Sequence, residues 1–284
     1  MLRSGVRPAR GVATFGVTVR LTALEVRALL LDIEGTTTPI DFVHQVLFPY
    51  ARAHAAEYLA RNQDSADVLN AIALLRKEHA AEVRLTTFAK ATAVKPSLTL
   101  RPGKPDTTYV TDVAQDVSPA QVLEYVFSLM DRDKKSPGLK ALQGLIWQDG
   151  YKSGELRGQV YPDVVPAFER WRARGIDIYI YSSGSVLAQR LLFGSTEAGD
   201  LTTFLNDYFD TAVGPKVSPD SYGVIAARIH VPPPEILFVS DVGQELDAAR
   251  TSGMRTALCV RGRSDAPPGS VSHPVIRSFA EIVD

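Results

Sequence analysis

The chain has 284 residues, 45% of them hydrophobic, which is enough to bury the core of one large domain or two smaller ones. Its 31 Lys and Arg side chains nearly balance its 32 Asp and Glu side chains, which gives a net charge of -1. This balance argues against a nucleic-acid or membrane-surface partner, since such partners select a basic excess. The sequence also lacks an apolar run of about 18 residues, so we expect no membrane-spanning helix.

Residues 1–24 contain scattered Arg, Ser, Thr and Gly and no acid. This composition is typical of an organelle transit peptide, and equally of a stretch translated from an upstream start codon, which we prefer because no amphipathic arginine face is evident. We therefore predict that residues 1–25 form a poorly ordered N-terminal extension outside the functional site.

Four later segments have the continuous apolar runs of buried parallel strands, and helical patterns lie between them. Helix and strand in alternation predict an α/β fold with a doubly wound parallel sheet. We expect this core to comprise residues 26–43 and 158–284. The strand-like segments are 26–35, 176–185, 235–243 and 255–262.

Residues 44–157 show apolar positions at helical spacing and no strong strand pattern. They predict an all-helical insertion that leaves the core directly after the first strand and forms a cap. Within it, the Thr- and Pro-rich residues 85–117 are expected to be a long loop.

Asp32 and Glu34 end the first predicted strand, in "LLLDIEGTTT". A carboxylate at a strand end can be a nucleophile, a magnesium ligand or a helix N-cap. Asp241 ends another strand, and ligands of doubly wound sheets bind where strand carboxyl ends converge. Asp32 and Asp241 therefore form a candidate magnesium site. Glu245 and Asp247 follow in the first turn of a helix, where acids are favoured for structural reasons, so we assign them to structure.

Ser182 and Ser183 lie in a hydroxyl-rich turn between a strand and a helix, where they could hold phosphate oxygens; capping by Ser183 or Ser185 is the structural alternative. Lys216 lies in a Gly- and Pro-containing loop between two of the site strands, where it could neutralise a phosphate and a nucleophilic carboxylate. His44, near the start of the insertion, is a candidate for lining the pocket.

Cys259 is the only cysteine, which excludes an intramolecular disulfide. It lies in the apolar stretch "TALCV", where a packing role is favoured over a nucleophilic one. This usage fits a reducing compartment, and we expect a cytoplasmic protein.

The order Asp-x-acid-Gly-Thr, strand-end Ser, Lys and strand-end Asp resembles the haloacid dehalogenase superfamily of phosphatases. Longer stretches, including "LLLDIEGTTTPIDFVHQVLFPYA", "VYPDVVPAFERW" and "FVSDVGQELDAAR", resemble the enolase-phosphatase (acireductone synthase) family of methionine salvage. The resemblance covers nearly everything from about residue 26 to 260, apart from 85–117. It implies a haloacid dehalogenase-like, Rossmann-type core and a helical cap.

The resemblance also implies a bifunctional, magnesium-dependent reaction with one Mg2+ per subunit. The enzyme would enolise 2,3-diketo-5-methylthiopentyl-1-phosphate and then remove its phosphate, giving the acireductone 1,2-dihydroxy-3-keto-5-methylthiopentene. Asp32 would be the nucleophile and a metal ligand, Glu34 would offer its backbone carbonyl to the metal, and Asp241 would complete the metal site. Ser182, Ser183 and Lys216 would bind the substrate.

Two points stay open in this interpretation. The residue that acts as enolisation base is not identified, although Glu34 is a candidate because a carboxylate beside the metal can relay a proton. The oligomeric state is not determined either, and a monomer is preferred. The alternatives are a capped magnesium-dependent phosphatase of other small phosphate esters and a non-enzymatic phospho-ligand binding protein. The second would be marked by loss of Asp32, Lys216 or Asp241, and all three are present.

Overall fold

A computed structural model describes residues 18–93, 119–134, 136–262 and 272–283. The chain divides into two compact units. The first consists of the described parts of Met1–Pro39, Val160–Ser182 and Thr203–Asp284, and the second of those of Ile40–Gln159 and Ser183–Thr202. The domain boundaries predicted from the sequence, which assign all of 158–284 to the core, stay a prediction.

All the described strands belong to the first unit. In chain order they are β1 (Val19–Arg20), β2 (Ala28–Leu31), β3 (Asp177–Tyr181), β4 (Asp207–Phe209), β5 (Ile236–Ser240), β6 (Arg255–Cys259), β7 (Val275–Ile276) and β8 (Ile282–Val283). Among the described residues, six of them form one sheet in the order β4-β3-β2-β5-β6-β7, with every neighbouring pair parallel. The predicted doubly wound parallel sheet is confirmed.

In chain order, the described α-helices are α1 (Ile40–Phe42), α2 (Phe48–Arg61), α3 (Ala66–Ala93), α4 (Pro119–Asp131), α5 (Pro137–Ser153), α6 (Val164–Ala173), α7 (Val186–Gly194), α8 (Pro219–Ile229) and α9 (Gly243–Thr251). Helices α6, α8 and α9 belong to the first unit and the others to the second. In the described chain, no helix is both long and apolar enough to cross a lipid bilayer.

The central strand β2 is apolar at every position, and β5 at every position before Ser240, because both faces of the sheet are covered. Every residue of β2 and β5 is buried. Burying each Leu or Ile side chain stabilises the fold by about 1.5–3 kcal/mol. The chain runs from β2 outward to β4 and then returns to β5, so the strand order reverses between β2 and β5. This crevice is where doubly wound sheets bind ligands.

The second unit is a group of helices that pack mainly on α5. Helix α5 begins at the N-cap Ser136, whose hydroxyl accepts a hydrogen bond from Leu139 N at 2.9 Å, and it ends at Gly154 in the left-handed conformation. A Cβ on Gly138 would lie 2.8 Å from the backbone nitrogen of Leu75, so glycine allows α5 to approach α3 closely. Trp147 of α5 donates its indole N–H to the carbonyl of Leu47 at 2.8 Å, which ties α5 to the segment just before α2.

Two expectations for irregular segments are wrong where the structure describes them. The sequence predicts a loop over 85–117, but α3 continues to Ala93, because residues 85–93 contain no proline or glycine to stop it. Residues 94–118 lie outside the described part of the chain. The sequence also predicts poor order for residues 1–25. Residues 18–25 instead lead through β1, which pairs in parallel with β8, and bury Leu21; residues 1–17 are not described.

Candidate active site

Asp32 follows β2 directly and begins a tight loop formed by residues 33–38, here called the acidic loop. The Asp32 amide still donates to Val239 O in β5 at 3.0 Å, so the residue is held at the strand end. The Ile33 carbonyl accepts the amides of Thr36, Thr37 and Thr38 at 2.9–3.2 Å. These bonds fold the chain back on itself and leave the Asp32 side chain 7% exposed at the carboxyl edge of the sheet.

A buried cation lies between two carboxylates at this edge. The Lys216 Nζ atom is 2.6 Å from Asp32 Oδ1 and 2.6 Å from Glu245 Oε2. The Ser240 hydroxyl lies 3.3 Å from Asp32 Oδ2 and 3.0 Å from Glu245 Oε2. The structure thus brings the predicted residues Asp32 and Lys216 into direct contact.

The charges of this group perturb one another. Although burial opposes it, the carboxylates of Asp32 and Glu245 raise the pKa of Lys216, which keeps the ammonium charged. Burial and the neighbouring Asp32 charge raise the pKa of Glu245, because two acids share one cation. Tyr222 fixes the lysine backbone by donating its hydroxyl proton to Lys216 O at 2.6 Å.

Asp241 follows β5, across the crevice from Asp32. A Cβ placed on Gly35 would lie 2.5 Å from Asp241 Oδ2, and Gly35 has φ +71. Only glycine fits there, since any other residue would be strained and would collide with the carboxylate. Asp241 therefore packs against the backbone of the acidic loop, directly beside Glu34.

The oxygen donors at this edge can be compared with what the predicted magnesium site requires. Across the described ranges, no three His, Cys, Asp or Glu side chains converge to hold a metal by themselves. Magnesium does not need such a cluster, because it is commonly bound by one or two carboxylates with waters and a substrate phosphate. The close approach of Asp241 to the Gly35 backbone supplies a carboxylate oxygen of the right type next to the acidic loop. The residues present fit Mg2+.

The two predicted serines lie at the end of β3. Ser182 is buried in the first unit and extends the ladder by donating its amide to Phe209 O at 3.1 Å. Ser183 is half-buried and opens the segment that belongs to the second unit. Ser185, the structural alternative, does cap α7, since its hydroxyl accepts from Ala188 N at 3.2 Å.

Other sequence-based assignments have simple outcomes. Cys259 is buried, and burial raises the pKa of its thiol to about 12, in keeping with a packing role. His44 is exposed in the second unit and makes an edge contact with Phe48. Asp247 is exposed on α9 and pairs with Arg250 at 2.6 Å.

Sequence reasoning missed Glu245, which was assigned to structure because acids favour the first turn of a helix. The structure places its carboxylate on Lys216. No signal in the sequence separated Glu245 from an ordinary first-turn acid, and none pointed to Ser240 or Tyr222.

Comparison with known proteins extends these observations beyond the site. A family model described as haloacid dehalogenase-like hydrolase matches residues 26–253. The protein named Enolase-phosphatase E1 of Synechococcus elongatus is 48% identical over 264 residues, covering 91% of this chain and 98% of the relative. The one of Citrobacter koseri is 44% identical over 257 residues, covering 90% of this chain and 96% of the relative.

Among solved structures, the UTR4 protein of Saccharomyces cerevisiae is similar over 89% of this chain and 98% of its own, with a TM-score of 0.65 and 30% sequence identity. The similarity therefore includes both the sheet and the helices of the second unit.

Proposed function

Since this chain belongs to the enolase-phosphatase family of haloacid dehalogenase-like hydrolases, we propose that it converts 2,3-diketo-5-methylthiopentyl-1-phosphate to the acireductone 1,2-dihydroxy-3-keto-5-methylthiopentene and phosphate. This reaction belongs to methionine salvage. The observation that supports the phosphatase half most directly is the buried contact of Asp32 with Lys216 at the carboxyl edge of the sheet.

In the proposed phosphate transfer, a carboxylate oxygen of Asp32 attacks phosphorus, and the bond from phosphorus to the C1 oxygen of the substrate breaks. The leaving oxygen takes up a proton, and water then cleaves the aspartyl phosphate to release phosphate and restore the carboxylate. Lys216 offsets the repulsion between the carboxylate and the phosphate dianion. Ser182 and Ser183 bind phosphate oxygens.

One Mg2+ per chain would be held by the side chains of Asp32 and Asp241 and the backbone carbonyl of Glu34. When bound, the metal supplies positive charge that stabilises the phosphoryl group and the enol oxygen. Glu34 has a second role in the proposal: its side chain moves the proton during enolisation. The carboxylate is half-buried and lies on the acidic loop beside Asp32, which suits proton transfer to and from the substrate carbon.

The helical second unit is proposed to act as the cap over the substrate, as the sequence predicts for residues 44–157. The proposed partner is the small phosphorylated diketone alone, with no nucleic acid and no membrane. A monomeric state and a cytoplasmic location are also part of the proposal.

The test follows the diketo phosphate with the purified protein and Mg2+, recording enol absorbance and released phosphate together. We expect the enol to appear first and phosphate second. Asp32→Asn should abolish phosphate release while the surface variant Asp177→Asn, whose side chain is 41% exposed, should retain it.

Glu34→Gln should lower the enolisation rate about 100-fold or more, the range typical of a lost general base. Hydrolysis of many unrelated phosphate esters at rates like that of the diketo phosphate, with no enol formed, would favour the alternative of a general capped phosphatase. Enolisation by Glu34→Gln at the wild-type rate would show that another residue is the base.

A further inference from the structure

Some backbone carbonyls of the acidic loop accept hydrogen bonds from within the loop, and others accept them from residues outside it. Its internal hydrogen bonds end on the carbonyls of Asp32, Ile33 and Thr38. The carbonyls of Thr36 and Thr37, at the outer turn, are bound from other segments of the first unit. The Tyr161 amide donates to Thr37 O at 2.9 Å.

Arg261 binds the Thr36 carbonyl with two donors at once. Its Nε and Nη2 atoms lie 3.1 and 2.9 Å from Thr36 O. Thr36 is two residues from Glu34 and next to Gly35, whose backbone touches Asp241. The guanidinium therefore contacts the same short turn that carries the proposed proton-transfer group and packs against Asp241.

The guanidinium is itself held on every side. Its Nη1 atom pairs with Asp163 Oδ2 at 2.6 Å, and its Cζ atom lies 4.4 Å from the Tyr161 ring centre and 4.6 Å from that of Phe279. Only 8% of the side chain is exposed. Although burial opposes it, the hydrogen bonds from Arg261 and Ser278 hold the pKa of Asp163 below its ordinary value. The contact thus combines a fixed charge pair with two aromatic surfaces, which fits arginine and not lysine.

We propose that Arg261 is a positioning residue for the acidic loop: by fixing the Thr36 carbonyl, it sets the position of the Glu34 backbone and side chain for the reaction. None of the hydrogen bonds described for Arg261 involves Asp32, and the residue acts on the reaction through the turn. The identity of the reaction rests on the proposed function. The contact between Arg261 and the turn does not depend on which phosphate ester is the substrate.

A conservative substitution separates positioning from simple stability. Arg261→Lys keeps the charge beside Asp163 and removes the fork that binds Thr36 O. We expect kcat to fall about tenfold to hundredfold with KM nearly unchanged, since a displacement of about 1 Å in a reacting group can cost that much. Amide hydrogen exchange of residues 33–38 should become faster.

Arg170→Lys is the matched control. Arg170 also donates to backbone carbonyls of the first unit, those of Pro166 at 3.4 Å, Phe279 at 3.0 Å and Ile282 at 3.2 Å, and it lies over the ring of Trp171. Its carbonyl partners are outside the acidic loop. The control should lose a similar amount of stability while keeping kcat and the exchange rates of residues 33–38.

The exchange experiment uses metal-free protein without substrate, so it remains informative where the diketo phosphate is not turned over. In that case kcat is measured with p-nitrophenyl phosphate and Mg2+, which reports on the metal-holding carbonyl of Glu34 and not on its side chain. Faster exchange of the loop together with a lower kcat, both confined to Arg261→Lys, supports the proposal. Unchanged loop exchange in Arg261→Lys, an unchanged kcat, or an equal loss of kcat in both variants would overturn it.

Discussion

Replacing Lys216 by Met tests whether the buried lysine holds two carboxylates together. The substitution keeps much of the side-chain volume but removes the only ammonium described within hydrogen-bond reach of Asp32 and Glu245. The two acids would then face each other in a site of low polarity, sharing only the Ser240 hydroxyl, which has a single proton to donate.

The expected loss follows from the burial of the pair. The side chains of Lys216 and Asp32 are 8% and 7% exposed, so solvent screens their interaction only weakly. Removing one partner of such a buried pair costs about 3–5 kcal/mol, because a charge is left uncompensated. The free energy of unfolding should fall by this amount at neutral pH. The exposed pair of Arg27 with Glu235 provides the control: Arg27→Met should cost at most about 1 kcal/mol.

Urea unfolding with EDTA present measures the difference without contributions from bound metal. The chain has two tryptophans, and Trp171 is fully buried in the first unit. A Trp147→Phe background therefore leaves a single tryptophan, whose fluorescence follows the unit that contains Asp32 and Lys216.

Two further measurements can refute the reasoning. Without the lysine, the folded protein should hold its carboxyl protons more tightly than the unfolded chain, so the deficit of Lys216→Met should shrink as the pH falls towards 5. Adding Glu245→Gln should restore part of the lost stability, because one buried charge is removed. A loss below about 1 kcal/mol, as in an exposed pair, or a double variant less stable than Lys216→Met, would contradict the inferred coupling.

Two other predictions concern the first unit. Gly35→Ala and Gly175→Ala impose the same backbone strain, since both glycines have φ +71, but only the Cβ at Gly35 meets Asp241, whereas that at Gly175 meets nothing within 4 Å. Both should lower stability by about 1–2 kcal/mol. Only Gly35→Ala should also weaken Mg2+ binding, by about tenfold or more in calorimetric titration, because it displaces the Asp241 carboxylate. Equal Mg2+ affinities of the two variants would contradict a role for the close packing of Asp241 on Gly35 in metal binding. Burial lowers the pKa of His273, so the unfolded chain binds the proton more tightly and stability should fall as the pH drops through the ordinary range of histidine. His273→Gln should flatten that part of the curve of unfolding free energy against pH, and an unchanged slope would show that another group titrates there.

The parts of the fold that the sequence predicts well are those with a strong local signal. The runs that became four of the strands are largely apolar: β2 throughout, β3 after Asp177, β5 before Ser240 and β6 after Thr256. A parallel sheet covered on both faces favours such runs. The short strands β4, β7 and β8 have no such signal. They contain two or three residues each, and pairing with a neighbour defines them more than their own composition does.

The candidate site divides in the same way. Asp32 and Asp241 could be placed from their strands, because residues at the carboxyl ends of adjacent parallel strands must lie near one another. Glu245 could not be separated from an ordinary first-turn acid, since both interpretations predict the same residue type at the same position. Arg261 is beyond a single-sequence argument, because its contact with Thr36 joins residues that are far apart in the chain.

The pairing of β1 with β8 also affects the order in which the protein can be completed during synthesis. Val19 pairs with Ile282, and the Leu21 amide donates to Val283 O. Strand β1 is therefore synthesised long before β8, the strand with which it pairs. Until β8 is made, the buried side chains of Val19 and Leu21 lack their final partner, while β2 can already pair with β3 and β5. We expect this short sheet to form after the main sheet on a growing chain, because a contact between distant residues is made late.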